Sequence, residues 1–181
     1  MGGYEKHVLQ GVLSGIITGI VIAIVTLLVP IEGLNSLTEE LVKKQLPAAI
    51  PPEEVERIVK SVNEITQAAI RIAPIAQVIQ YILIGALFGL LKGALGNKLK
   101  LSEAVSAIVT GIIYTLVLGI IPIAVLSALM PELADMFTKH LNLNLYLAVL
   151  LPGAVFTASI TLVSLSRGPW SRLIEAKPKA V

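Results

Sequence analysis

Residues that could perform acid–base, nucleophilic or metal chemistry are few and widely separated in this sequence. The chain has two histidines, His7 and His140, and no cysteine, which excludes disulfides, thiolate metal sites and thiol nucleophiles. Its densest acidic group, Glu53, Glu54 and Glu56, is best interpreted as the solvated first turn of a helix, where carboxylates complement the helix dipole. Walker, HExxH and GxSxG motifs are absent. We therefore expect no enzymatic activity, no metal and no cofactor.

The composition explains why so little chemistry is visible. Of the 181 residues, 55% are hydrophobic and only 14% are charged, and the mean hydropathy is +0.86. Soluble domains are about 25% charged. This balance excludes a disordered chain, a nucleic-acid binder and an ordinary cytosolic enzyme, and it predicts a lipid bilayer as the surroundings. The lack of cysteine and the frequent pairing of Glu with Lys or Arg are compatible with a thermophilic source.

The apolar residues fall into four blocks, each at or above the roughly 20 residues that cross about 30 Å of hydrocarbon. The blocks are residues 8–30, 75–96, 104–130 and 145–165. They must be helical, because a backbone in lipid has to satisfy its own hydrogen bonds. The first block could also be a signal peptide, but its apolar run is too long and no small-residue cleavage site follows. The sequence predicts an all-α integral membrane protein with four transmembrane helices and an extramembrane helical hairpin between spans one and two.

The distribution of charge predicts the orientation. Four spans place the N-terminus (1–7), the loop 97–103 and the tail 166–181 on one side, and the segments 31–74 and 131–144 on the other. With Lys92, which lies near the end of the second block on the same side, the first side carries eight basic residues and the second carries six. Because cytoplasmic loops are enriched in Lys and Arg, both termini are expected to be cytoplasmic in a cell membrane.

The segment 31–74 has the features of two helices outside the bilayer. Residues 36–39, Ser-Leu-Thr-Glu, fit a capping box that would begin a short helix ending near Leu46. A second helix is expected from Pro52 to Ala73, followed by a kink at Pro74. Its apolar residues repeat at spacings of three and four, typical of a coiled-coil seam: Val55, Ile58, Val62, Ile65, Ala69 and Ile72. We call this set the heptad stripe; it could pack on the first helix, lie on the membrane or bind another chain.

Glycines recur every fourth residue in two of the spans, and a related row of small residues occupies the third. In lipid, small residues let helix backbones approach closely, so these rows predict tight helix pairing either within one bundle or between chains. Residues 14–17 and 110–113 are also similar, which would fit a repeat of two helices plus two. The predicted helix-packing residues are Gly11, Gly15, Gly19, Gly85, Gly89, Gly93, Gly111 and Gly119.

Prolines and polar residues in the spans suggest a possible path for a solute. Pro122 and the pair Pro152–Gly153 should bend spans three and four and free carbonyl groups, although proline is also simply common in membrane helices. Tyr114 needs a hydrogen-bond partner at depth, for which Thr18 and Thr157 are candidates. Lys92, the one charged residue within a span, is expected to extend to the membrane surface.

Two functional hypotheses follow. The first is a non-enzymatic, self-associating structural or accessory subunit of a membrane complex, whose partner would be a second copy or another membrane protein. The alternative is a passive channel or small-solute permease without an ion-coupling site, because intramembrane acids and histidines are lacking.

Overall fold

The computed structural model describes residues 3–28, 30–47, 50–141 and 145–165, and within these ranges every regular element is helical. Four helical stretches are long and apolar enough to span a membrane, which confirms that part of the predicted fold class. The elements are α1 (Gly3–Leu27), α2 (Ile31–Gln45), α3 (Pro52–Leu99), α4 (Glu103–Thr115), a π-helical turn (Leu116–Ile120), α5 (Ile121–Leu129), α6 (Pro131–Leu141) and α7 (Leu145–Ser164).

The four long helical stretches form a ring. Helix α1 packs along α3, α4 packs along α7, and the ring closes where α1 meets α7 and α3 meets α4. Over the described ranges, the backbones of α1 and α4, and those of α3 and α7, stay apart, and these diagonal pairs meet only through side chains. The four helical stretches therefore surround a common centre, and an aromatic cluster lies there.

That cluster joins three of the four helices. The Tyr114 ring stacks on the Phe156 ring with centroids 4.3 Å apart, and the Phe88 ring meets both edge-on at 5.1 Å and 6.0 Å. Ala107 and Ile160 complete the core around them. Offset and edge-on arrangements suit the quadrupoles of aromatic rings, so this cluster fixes α3, α4 and α7 at mid-depth.

The segment between the first two spans differs in detail from its prediction. Helix α2 begins at Ile31, directly after Pro30, so the capping box predicted at Ser36 is wrong and Ser36 lies within the helix. Helix α3 continues without a break through Pro74 and is 48 residues long. Proline removes only one backbone hydrogen bond, and neighbouring packing in membrane bundles compensates for that loss. Helix α2 packs against α3 and α6.

The segment 131–144, for which the sequence predicts only a loop between spans three and four, includes the helix α6. Pro131 and Glu132 are in its first turn, and Lys139 and His140 are in its last. This order matches the preferences of helix termini for proline and for opposite charges. Ala134 is buried where α6 packs.

The third span contains an irregular turn that the sequence did not predict. Between α4 and α5 the chain forms a π-helical turn in which the amide of Ile121 donates to the Leu116 carbonyl. Pro122 follows directly and lacks an amide proton of its own. Such turns occur frequently at functional sites, and this one borders the cavity described below.

Candidate functional site

The glycines of α1 and α3 face one another inside the chain. A Cβ added at Gly11 would collide with the Gly85 carbonyl oxygen and would lie 2.7 Å from the Gly89 Cα. A Cβ at Gly15 would collide with the Tyr81 carbonyl oxygen, and one at Gly19 would lie 2.8 Å from the Val78 Cα. These two backbones therefore approach as closely as helices can.

The row continues to the end of the bundle that carries the N-terminus. A Cβ at Gly93 would lie 3.0 Å from ring atoms of Tyr4 and His7. In the second helix pair, formed by span three and α7, the glycines contact side chains rather than backbone. A Cβ at Gly111 would overlap the Thr157 side chain, and one at Gly119 would lie 2.6 Å from Val149 Cγ1.

A cavity of about 280 Å³ lies between α3, α7 and the junction of α4 with the π-helical turn. Its walls belong to the half of the bundle nearer to α2 and α6. It is lined by a tyrosine pair, a glutamine, part of the π-helical turn and the proline-containing helix α7, and none of its lining residues is charged. The lining residues are Gln80, Tyr81, Ile84, Tyr114, Leu118, Gly119, Ala148, Val149 and Pro152.

Both prolines of spans three and four contribute to this cavity. Proline lacks an amide proton, so the carbonyl four residues before it loses its usual helical donor. The affected carbonyls are those of Leu118, before Pro122, and Ala148, before Pro152; both Leu118 and Ala148 line the cavity. Gly153 permits this arrangement, because a Cβ there would overlap the side chain of Thr115.

Tyr114 finds a different partner from the ones expected. Its hydroxyl lies near the Tyr81 hydroxyl of α3. Thr18 and Thr157 instead donate to carbonyls of their own helices, those of Ser14 and Gly153. Both tyrosines line the cavity, and Tyr114 also belongs to the aromatic cluster.

A second polar site occupies the end of the bundle that carries the N-terminus. Lys92 is 0% exposed, so the expectation that it extends to the surface is wrong. Its ammonium lies 2.5 Å from Glu103 Oε2, 2.7 Å from Gln10 Oε1 and 3.1 Å from His7 Nδ1. The reason is that α1 and α4 bring three acceptors to a buried position on α3, which sequence spacing on α3 alone does not reveal.

Two further features complete this site, which we call the Lys92 cluster (Lys6, His7, Gln10, Lys92 and Glu103). Lys6 donates to Glu103 Oε1 over 3.0 Å, so the carboxylate is shared by two lysines. The buried amide nitrogen of Gln10 has no hydrogen-bond partner. The cluster thus ties α1, α3 and α4 together through one carboxylate and one ammonium.

Two columns of polar residues, all buried except the partly exposed Glu103, run from the Lys92 cluster into the bundle. The spacing of three, four and four residues is the same in both, so each column follows one helix face. This shared spacing is the signal by which the sequence could have shown them. The columns are His7, Gln10, Ser14 and Thr18 on α1, and Glu103, Ser106, Thr110 and Tyr114 on α4.

The heptad stripe is divided by the structure. Val55, Ile58 and Val62 are partly buried, on the part of α3 that lies beside α2. Ile65 and Ile72 are 66% and 63% exposed, and Ala69 between them is exposed too. The second half of the stripe is therefore an apolar surface without a partner in the described part of the chain.

The other histidine lies at the opposite end of the bundle. His140 of α6 is 2.6 Å from Glu40 Oε2 of α2. This hydrogen bond, with the nearby lysines, holds the pKa of Glu40 below its usual value. Across the described ranges, no three His, Asp or Glu side chains are arranged to hold a metal ion.

Comparisons with protein-family models, with curated proteins and with solved structures find no match to this chain.

Proposed function

We propose that this protein is a small-solute permease or channel of the cell membrane, with both termini in the cytoplasm. The observation that supports this proposal is the cavity between α3, α4 and α7, lined by Leu118 and Ala148, whose carbonyls lose their usual helical donor because a proline follows each four residues later. Irregular backbone at membrane depth is tolerated where it lines a cavity. Transporters bind their substrates at discontinuous helices, and the π-helical turn interrupts span three beside this cavity.

The lining favours a small uncharged solute that donates hydrogen bonds. Carbonyl groups accept hydrogen bonds, and the hydroxyls of Tyr81 and Tyr114 and the amide of Gln80 can do so too. No charged residue contributes to the lining, so an ion would lack a counter-charge. A cavity of about 280 Å³ is close to the lower limit of ligand sites, about 300 Å³, which suits a molecule of a few heavy atoms.

The test is solute flux into liposomes that contain the protein, with a panel of small amides and polyols. Ala148→Phe would fill the cavity and should lower the flux at least tenfold. Ala154→Phe places the same ring on an exposed position of the same helix and should leave the flux unchanged.

A finer pair of variants addresses the hydrogen bonds. Tyr114→Phe removes only the hydroxyl that faces the cavity and should reduce flux, whereas Tyr4→Phe, at an exposed tyrosine, should not. Flux no greater than through protein-free liposomes across the whole panel would contradict the proposal. So would equal flux through the Ala148→Phe and Ala154→Phe variants.

A second candidate is the self-associating subunit of a membrane complex. Its former support from the glycine rows is weaker, because those glycines contact other helices of the same chain. What still favours it is the exposed half of the heptad stripe, Ile65, Ala69 and Ile72. The oligomeric state of the protein in lipid tests this candidate.

A further inference from the structure

The heptad stripe does not end where α3 enters its membrane span. Its alternating spacing of three and four residues continues past Ile72, along the same unbroken helix, and every position that it reaches is apolar. A strict seven-residue repeat of this length is typical of a helix that coils around another helix, because on a lone straight helix the stripe would drift by about 20° per heptad. The added positions, which together with the heptad stripe we call the α3 seam, are Ala76, Ile79, Leu83, Ala86 and Leu90.

The charged residues of α3 avoid this seam and both of its flanks. With Ala69 at heptad position a and Ile72 at position d, positions e and g flank the seam, and positions b, c and f face away from it. Charged flanks usually select a particular partner, whereas these uncharged flanks bring no like charges together when the seam meets its own copy. Between residues 55 and 90, the charged residues, all at b, c or f, are Glu56, Arg57, Lys60, Glu64 and Arg71.

Most of the α3 seam is exposed on the outside of the bundle. Besides the exposed half of the heptad stripe, Ile79, Leu83 and Leu90 within the span are 55%, 63% and 45% exposed. Helix α1 approaches α3 on another face, through Gly85 and Gly89. The tight pairing within one chain therefore leaves the seam uncovered.

Lipid can cover only the part of the seam that lies within the membrane. Helix α3 has 48 residues and is about 72 Å long, more than twice the roughly 30 Å of hydrocarbon that it crosses. Because the helix continues without a break through Pro74, its first half extends away from the membrane span. Ile65 lies about 15 Å beyond the start of the apolar block at residue 75. The occupant that suits both parts of the seam is another helix with the same stripe.

We propose that a second copy of this chain packs along the α3 seam, α3 against α3, in a coiled coil that begins outside the membrane and continues into it. Two copies inserted in the same orientation are related by a two-fold axis along the membrane normal. Their α3 helices therefore run parallel, and each seam residue meets its own counterpart. Ala69 and Ala76 at position a let the two backbones approach closely. The pairing does not rest on the proposed function, because the cavity is lined by helices of a single chain.

The first test is symmetric disulfide formation. The chain has no cysteine, and a disulfide needs Cα atoms within about 7 Å, which identical positions reach only beside the two-fold axis. In liposomes at low protein density, mild oxidation should link most of the Ala69→Cys and Ala76→Cys variants into dimers. Gln67→Cys and Arg71→Cys, at exposed positions f and c of the same turns, should be linked at least tenfold less.

A second measurement follows the seam into the membrane. Spin labels are placed on Leu90→Cys, at the seam, and on Ala158→Cys, an exposed position of α7, in separate variants reconstituted into lipid nanodiscs. Helix α7 lies diagonally across the ring from α3, so each copy adds about one helix diameter of 10 Å to the separation of the α7 labels. The distance between copies should therefore be about 20 Å shorter at Leu90 than at Ala158.

Disulfides at Ala69 and Ala76 together with the short distance at Leu90 would establish the pairing. Equal linkage at Gln67 and Ala69, or no linkage at any position, would overturn it. So would a longer distance at Leu90 than at Ala158, since the copies would then meet through another face. Solute flux by a chain that forms no dimer would contradict the seam and leave the permease standing, whereas a seam-linked dimer without flux of any solute would do the reverse.

Discussion

At the scale of single residues, Gly11 and Gly96 show that two glycines in similar apolar sequence can have opposite importance. A Cβ at Gly11 would meet the backbone of α3, which cannot move without separating the two helices. A Cβ at Gly96 would find only the Ser106 hydroxyl, 3.9 Å away. The same substitution should therefore be costly at one position and harmless at the other.

We predict that Gly11→Ala lowers the free energy of unfolding by about 1–3 kcal/mol, the usual cost of overpacking, whereas Gly96→Ala leaves it unchanged or slightly higher. The measurement is the thermal unfolding midpoint in mild detergent, which should fall by several degrees for Gly11→Ala. Equal midpoints for the two variants would show that α1 and α3 do not pack through this face.

Individual residues are also where the sequence was least informative. The glycine rows identified positions of close approach but not their partners, because a spacing of four describes one helix and not the helix opposite. Lys92 was expected at the surface for the same reason: its environment is made by His7 and Gln10 of α1 and Glu103 of α4. Residues distant in sequence created the site, and only the packing of three helices reveals it.

At the scale of elements, the long helices and the short helix α2 were predictable, whereas helix α6 and the π-helical turn were not. An apolar block of about 20 residues can satisfy its backbone in lipid only as a helix, so the four spans follow from composition. Helix α6 has 11 residues and no such constraint, and its formation depends on packing against α2. The π-helical turn depends on the accommodation of Pro122 within the bundle, which local sequence does not determine.

The contact between α2 and α6 carries a prediction about pH. The hydrogen bond from His140 lowers the pKa of Glu40, so the folded state favours the ionised carboxylate. This stabilisation is present above the ordinary Glu pKa of about 4.3 and is lost as the pH falls through the lowered value. Protection of the α6 amides from hydrogen exchange, corrected for intrinsic rates, should therefore decrease between about pH 6 and pH 3.

Glu40→Gln should remove most of this pH dependence, since the amide does not titrate. Glu39→Gln is the matched control, because Glu39 pairs only with Lys43 of its own helix at an exposed position. If protection of α6 responds to pH equally in both variants, the Glu40–His140 contact does not hold the two helices together.

At the scale of the whole molecule, the bundle has the features of two related helix pairs. Gly15 approaches Gly85 in the first pair as Gly111 approaches Thr157 in the second, and Gly19 approaches Tyr81 as Thr115 approaches Gly153. In both cases the α4 residue is 96 positions after its counterpart in α1, and the α7 residue is 72 positions after its counterpart in α3. The contacts between the two pairs follow the same correspondence. Helix α1 packs against α7, and α4, the counterpart of α1, packs against α3, the counterpart of α7.

This correspondence supports the repeat of two helices plus two that the similarity between residues 14–17 and 110–113 suggested. It also shows where the two halves differ. The first pair packs backbone against backbone through glycine, whereas the second pair separates around Tyr114 and Pro152 and leaves room for the cavity. The candidate solute site lies beside the less tightly packed pair, α4 and α7, and the ion pair between Lys92 and Glu103 joins the two helix pairs. This arrangement is consistent with a bundle in which α4 and α7 move against a rigid pair formed by α1 and α3.

The last prediction concerns assembly of whole molecules and tests the second candidate function. If the exposed half of the heptad stripe binds a second copy, adding charge there should dissociate the complex. Ile65→Glu with Ala69→Glu should convert an oligomer of the full chain in lipid nanodiscs into a monomer, because buried carboxylates without partners are costly. Gln67→Glu adds charge on the opposite face of α3, about 200° from Ile65, and should leave the oligomer intact. A native chain that is monomeric in lipid, or an oligomer that survives the Ile65 and Ala69 changes, would contradict self-association through this surface.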